Sequence, residues 1–282
     1  MNYAIHFPDQ SLSPFIKYYW FMSDVRENGY EMEDLLIPDG QTEIIFNNSS
    51  AYHRRGFGEV SKTRVSKSCL VGQRKESVLA QKEGKNDLIG VKLRPGALGK
   101  LTGIPENHLS NQIIGLNEIG IPALVALEEK LFQNSSVQWQ IPLLDETFIP
   151  LFNQQSTESQ LLTATITRDL EKSSHLPTLD QIRIRYNLHH KKLERLFHMN
   201  VGLSPKSYLK VLRFKKVYKY FNRSRRTFYD GKIFDLGYYD QTHFIKEFKF
   251  FTGDTPTEYY RNTLPKNDDI LIRTLSQMKS GV

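Results

Sequence analysis

Apolar residues recur along this chain with two different periods, and the change of period divides it. Through the first half, short runs alternate apolar with polar positions and stop at turn residues. TEIIF (42–46) follows Pro38-Asp39-Gly40, and LIGVKL (88–93) precedes Pro95-Gly96. A period of two puts alternate side chains on opposite faces of a strand, while Pro and Gly end each run. PALVALEEKLFQ (122–133) breaks this rule with helical spacing. Residues 1–152 are therefore expected to form a mostly antiparallel β domain carrying a few helices.

Downstream the period is helical throughout. Thr178 precedes Leu179, Ile182 and Tyr186 at helical spacing, and Asn187 stands where a left-handed residue ends a helix. After a tight turn, residues 190–199 repeat the pattern with Leu193, Leu196 and Phe197 facing inward. Gly202 follows, and Ser204 with Pro205 is a helix-start signal ahead of KSYLKVLRFKKVYKYF (206–221), whose apolar face uses Leu209, Leu212 and Val217. A shift of 51 residues then sets Leu193 on Phe244, Arg195 on Lys246, Phe197 on Phe248, Gly202 on Gly253, Ser204 on Thr255, Pro205 on Pro256 and Tyr208 on Tyr259. The segment is an internal repeat: two helix-turn-helix units joined by a helix. At about 1.5 Å per residue that connector spans roughly 24 Å, which holds the units at a fixed separation. Two such units suit successive major grooves on one face of a duplex, about 34 Å apart.

Charge sharpens the division. Residues 1–159 carry 15 Lys and Arg against 19 Asp and Glu, whereas residues 160–262 carry 20 against 10. The whole excess of positive charge sits in the helical segment, as a polyanion binder requires. NQQSTESQ (153–160), polar and free of large apolar groups, reads as the linker, and residues 263–282 as a C-terminal tail. The one cysteine, Cys69, excludes an internal disulfide and is read as a small buried hydrophobe. No metal-binding spacing of Cys or His is present, so neither a metal nor another cofactor is expected. No apolar run reaches the length of a membrane span and no signal sequence is evident, so a cytoplasmic, non-membrane protein is expected.

The stretch GYYDQTHFIKEFKFFTGDTP (237–256) shows how one unit works. Gly237 ends a helix, Asp240 caps the next, and Phe244, Phe248 and Phe251 form its buried stripe. Gln241, Thr242, Lys246 and, at the margin, His243 are left on the outer face near the helix start. There Gln pairs with adenine, Thr meets a thymine methyl, and Lys reaches guanine or phosphate. The equivalent positions of the first unit are His190, Lys191, Glu194 and Arg195, with Arg195 suited to guanine and Glu194 to cytosine.

With these motifs in place, residues 178–261 resemble the DNA-binding domain of the AraC/XylS family of bacterial transcription regulators. GYYDQTHFIKEF, the TG and TP that follow it and Tyr260-Arg261 carry the specific part of the likeness. The first unit departs from the pattern at Arg183, where alanine is usual, and at Asn187, where glycine is usual. The resemblance carries the recognition positions to Lys191, Glu194 and Arg195 and to Gln241, Thr242 and Lys246. IPDGQTEIIFN and GVKLRPGALGKLTGIP more loosely resemble the regulatory domain of some members, which implies a cupin-like β-barrel with added helices. The expected fold is thus α+β in two domains, with an all-α segment over 161–262.

The implied function is a sequence-specific DNA-binding transcription regulator, not an enzyme. Its implied partners are double-stranded DNA, a small-molecule effector, RNA polymerase and a second copy of the chain. Tyr18, Trp20 and Phe46 are candidates for an effector pocket with Arg94 as anion partner, and core packing explains the three aromatics equally well. Two other readings stand beside this one: an N-terminal enzyme with a DNA-targeting tail, and an interaction module without sequence preference.

Overall fold

The structure, a computed structural model, describes residues 2–26, 33–49, 51–56, 59, 61–65, 67–82, 84–224 and 232–262, so the tail at 263–282 lies outside the described residues. The N-terminal domain carries strands β1 (Asn2–His6), β2 (Ile16–Arg26), β3 (Glu33–Leu36), β4 (Thr42–Asn47), β5 (Tyr52–Gly56), β6 (Thr63–Val65), β7 (Cys69–Val71), β8 (Val78–Lys82) and β9 (Gly84–Leu93). Short helices α1 (Ala97–Thr102) and α2 (Glu106–Leu109) follow, then strand β10 (Ile113–Gly115) and helices α3 (Leu116–Ile119), α4 (Pro122–Leu131) and α5 (Val137–Phe152). One sheet has the order β1-β2-β9-β4-β7-β10 and the other β3-β8-β5-β6, with antiparallel pairing throughout.

Period-two alternation decides what each face of the larger sheet covers. Tyr19 and Phe21 of β2, Ile44 and Phe46 of β4, and Ile89 and Val91 of β9 point into a core closed by Leu124, Leu144 and Phe148 of the helices. Their neighbours Tyr18, Trp20, Met22, Ile45 and Leu88 point the other way, into a second core shared with Tyr52, Val65 and Ala80 of the smaller sheet. Trp20 lies directly across the ladder from Gly90. A Cβ at residue 90 would fall 1.8 Å from the indole, so only glycine lets the ring lie flat on that strand.

The C-terminal half consists of α6 (Glu158–Lys172), α7 (Leu179–Arg185), α8 (His190–Val201), α9 (Pro205–Ser224), α10 (Lys232–Asp235), α11 (Gln241–Thr252) and α12 (Pro256–Asn262). Capping boxes start α6 at Thr157 and α7 at Thr178, each with a glutamine at the third helical position. Asn187 takes the left-handed conformation, φ 49°, in the turn between α7 and α8. The connector runs further than the sequence pattern predicts: α9 has 20 residues, about 30 Å. Its inward side is also wider. Tyr208, Val211, Leu212, Phe214, Val217 and Tyr218 all enter one core with Phe197 of α8 and with Phe244, Phe248 and Phe251 of α11.

The two halves are joined by polar as well as apolar contacts. Ile37, ahead of β4, is buried in the C-terminal core. Lys17 Nζ lies 3.2 Å from the Glu171 carboxylate of α6, and Gln41 donates to the same group at 3.0 Å. Lys215 of α9 donates to the Asp39 carbonyl at 3.2 Å. The Asp39 side chain pairs with Lys92 at 3.2 Å, and Lys92 pairs with Glu43 at 2.9 Å. Burial by itself opposes ionising Asp39, but Lys92 and Lys215 outweigh it and hold the carboxyl at about 2. Burial and the neighbouring Lys215 together lower Lys17 to about 8, with Glu171 opposing them. Beside this cluster, α1 and α2 pack on α8, and Ser110 donates to the Gly202 carbonyl at 2.6 Å. Gly202 has φ 78°, and a Cβ there would fall 2.6 Å from Ser110 Oγ. Both its conformation and this approach require glycine.

Two outcomes follow from this packing. Gly90→Ala displaces the Trp20 indole and costs about 1 to 3 kcal/mol, read as a lower Tm with a shifted tryptophan emission. Glu106, fully buried under α1, accepts from the Gly96 amide at 3.0 Å and the Gly99 amide at 3.3 Å. Burial lifts its carboxyl to about 8 against the pull of those amides. The folded chain therefore keeps a proton that the unfolded chain releases, and stability falls as pH rises from the ordinary carboxylate range through 8. Glu106→Gln retains the acceptor oxygen and removes the titration, so thermal melts at about pH 9 show the variant more stable than the parent. At about pH 5 the two melt alike.

Candidate nucleic-acid interface

Both α8 and α11 leave their first turn open to solvent, by different means. At the start of α11 the Asp240 carboxylate accepts the His243 amide at 2.7 Å, which satisfies a backbone donor that a helix start leaves without a partner. Gln241, Thr242 and Lys246 are exposed around that cap. At the start of α8 the cap residue is His189, whose side chain makes no capping bond. His190, Lys191 and Arg195 are exposed, and Glu194 is half-buried between His190 at 3.9 Å and His198 at 3.6 Å.

His243 has a different place from its neighbours. Its ring meets Tyr238 edge-on at 5.3 Å, and its Nε2 lies 3.7 Å from Glu247 and 3.5 Å from an Arg213 nitrogen. Arg213 of α9 grips the buried Glu247 carboxylate with two nitrogens, and Tyr238 donates to it at 2.6 Å. The histidine expected at the margin of the outer face thus belongs to the network tying α11 to α9. Its side chain keeps 41% exposure, at the margin of the outer face, and helical geometry explains the contact: residues 243 and 247 are one turn apart on the flank that packs against α9.

A feature that the 51-residue shift conceals lies in the turn of the second unit. In the first, one residue, the buried Leu188, separates left-handed Asn187 from the cap at His189. In the second, Tyr238 and Tyr239 separate left-handed Gly237 from the cap at Asp240. Tyr238 fills the core position and the added residue, Tyr239, is pushed out to 90% exposure beside Gln241 and Thr242. The second tyrosine of the YY pair was the signal available in the sequence.

The four candidate effector residues do not share a cavity. Tyr18 and Trp20 lie in the core between the two sheets, whereas Phe46 lies on the opposite face of the larger sheet, under the helices. A residue of β4 at 46 and residues of β2 at 18 and 20 have opposite parity against the β9 partners Ile89, Lys92 and Gly90. Arg94 donates to the Ser13 carbonyl at 2.8 Å and lines a small cleft with Thr167, Arg168 and Glu171. Cys69 is buried, and burial pushes its thiol up to about 12. Among the described residues no group of three or more His, Cys, Asp or Glu side chains could hold a metal ion, and no helix is long and apolar enough to cross a membrane.

Residues 184–262 match a family model described as a helix-turn-helix domain, and residues 4–115 match one described as a domain of unknown function, DUF6597. A search of curated proteins returns no match. Among solved structures, the chain is similar to ToxT from Vibrio cholerae at 12% identity and a TM-score of 0.44, over 86% of this chain and 98% of that one. Unsaturated fatty acid bound ToxT from Vibrio cholerae strain SCE256 gives 10% identity and 0.40, over 85% and 94%. The AraC-like transcriptional activator CuxR gives 11% and 0.23, over 78% and 86%. With two helix-turn-helix units on one shared core, a single helix between them and the family match, residues 184–262 of this chain form a helix-turn-helix domain.

Proposed function

We propose that the chain is a sequence-specific transcription regulator that places α8 and α11 in successive major grooves of one duplex. The observation that carries this reading is the placement of two short sets of base-competent side chains, exposed Lys191 and Arg195 with half-buried Glu194 on α8 and exposed Gln241, Thr242 and Lys246 on α11, at the starts of two helices built on one core. Side chains near a recognition-helix start reach base edges, and the amide and guanidinium groups present here make bidentate pairs with adenine and guanine. Tyr239 adds an exposed hydroxyl beside the second set, suited to a phosphate.

The N-terminal domain controls the reading helices through the junction, not by covering them. It grips the C-terminal end of α8 through Ser110 and the middle of α9 through Asp39, and it leaves His190, Lys191 and Arg195 exposed. A signal that altered the N-terminal domain would therefore act on the relative placement of the two units. A small-molecule effector, RNA polymerase and a second copy of the chain are the partners such a regulator would use.

The reading is tested by binding of the purified protein to a duplex selected from a random library and to an unselected duplex. Arg195→Ala and Gln241→Ala each weaken binding to the selected duplex by about 1 to 3 kcal/mol and leave binding to the unselected duplex nearly unchanged. Equal losses on both duplexes would remove these residues from base reading and favour a module without sequence preference.

A further inference from the structure

A groove of about 650 Å³ runs between α9 and α11 and reaches the residues just before α7. We propose that this groove seats the phosphodiester backbone of the DNA lying between the two base-reading sites, with Lys206, Lys210 and Lys246 as the neutralising cations. The proposal rests on the regulator reading for its orientation, and it adds a contact that neither reading helix supplies alone.

Position is the first support. The groove is walled by α9, which joins the two units, by α11 of the second unit, and by Pro177 and Thr178 at the start of the first. Lys246 lies on its rim, one helical turn beyond the exposed Thr242, so the groove is continuous with the reading face of α11.

Charge is the second. The one carboxylate in the lining, Glu247, is buried and already held by Arg213 and Tyr238. Lys206, Lys210 and Lys246 have no ion-pair partner among the described residues. Glu247 and Glu76 act on Lys210 from further off, and the lining still carries Lys206, Lys210, Arg213 and Lys246 against the single carboxylate of Glu247, an excess of positive charge.

The third support is the floor. Lys210 Nζ sits 3.3 Å above the Phe250 ring, and Leu209 lies alongside. The aromatic face holds the ammonium in place, and burial lowers its proton affinity. An ammonium that has lost part of its water gains more from an incoming anion than one on an open surface. Lys206 and Lys210 stand one turn apart on α9, about 6 Å along its axis. A row of cations along a helix between two reading heads matches a charged backbone better than it matches a single small anion.

The experiment measures the affinity of the full chain for a labelled duplex of unselected sequence across a range of sodium chloride concentrations. Each phosphate neutralised contributes about 0.9 to the slope of log affinity against log salt. The variant Lys206→Gln with Lys210→Gln is expected to bind more weakly at low salt and to show a slope shallower by about 1.8. Lys130→Gln, at an exposed lysine of α4 in the other domain, leaves the slope unchanged. An unchanged slope in the double variant, with its melting temperature preserved, would overturn the proposal. Because the duplex is unselected, this result stands apart from base reading: a library that enriches no motif would sink the regulator reading without altering the comparison of slopes.

Discussion

The aromatic packing of α9 is the constraint on which the rest of the molecule depends. Its Tyr208 ring meets Phe197 of α8 at 5.6 Å, while Phe214, about two turns on, stacks on Phe251 of α11 at 4.4 Å and meets Phe248 edge-on at 5.6 Å. Tyr218 closes the far end against Tyr259, hydroxyl to hydroxyl at 2.7 Å. One helix thus contributes side chains to the core of both units, and neither unit has a core of its own. Pairs of this kind add about 0.5 to 1.5 kcal/mol beyond the area they bury. Several in series along one helix make the separation of α8 and α11 a property of packing instead of linker length.

The same helix is where the two domains meet. Lys215 lies on α9 and reaches Asp39, whose side chain belongs to the buried chain of charges formed by Lys92 and Glu43. Glu171 of α6 joins from the other side through Lys17 and Gln41. Ions removed from water tolerate little change of position, since a lost partner leaves a buried charge uncompensated at a cost of about 3 to 5 kcal/mol. Such a junction resists displacement of one domain against the other. It suits the proposed control of DNA reading better than a loose tether would.

Much of this architecture is legible in the residues, and the parts that are not share a physical cause. Local signals were sufficient for the helical half: the Thr178 and Asp240 caps, left-handed Asn187 and Gly253, and the phenylalanine stripe of α11 stand where their chemistry places them. Alternation likewise located β4 and β9. What the pattern could not give is tertiary. Tyr208, Phe214 and Tyr218 face inward because α9 is buried from more than one side, which widens its apolar stripe beyond Leu209, Leu212 and Val217. His243 stands at the margin where the pattern puts it, and its contact with Glu247 is one that spacing suggests but only packing fixes. Lys17, Asp39, Lys92 and Glu171 are far apart in sequence, so no periodicity announces their cluster. The repeat itself hid the extra residue that exposes Tyr239, because a constant shift of 51 steps over a turn of altered length.

If α9 fixes the separation of the reading helices, DNA must present its two half-motifs at one distance. The direct measurement is affinity for a set of duplexes in which the half-motifs of a selected site are moved apart one base pair at a time. A rigid α9 gives a single preferred spacing and a loss of at least about tenfold, or 1.4 kcal/mol, when about five base pairs, half a helical turn, are inserted. Affinity that stays level across the spacings would show that the two units are not held rigidly, and would contradict the role of α9.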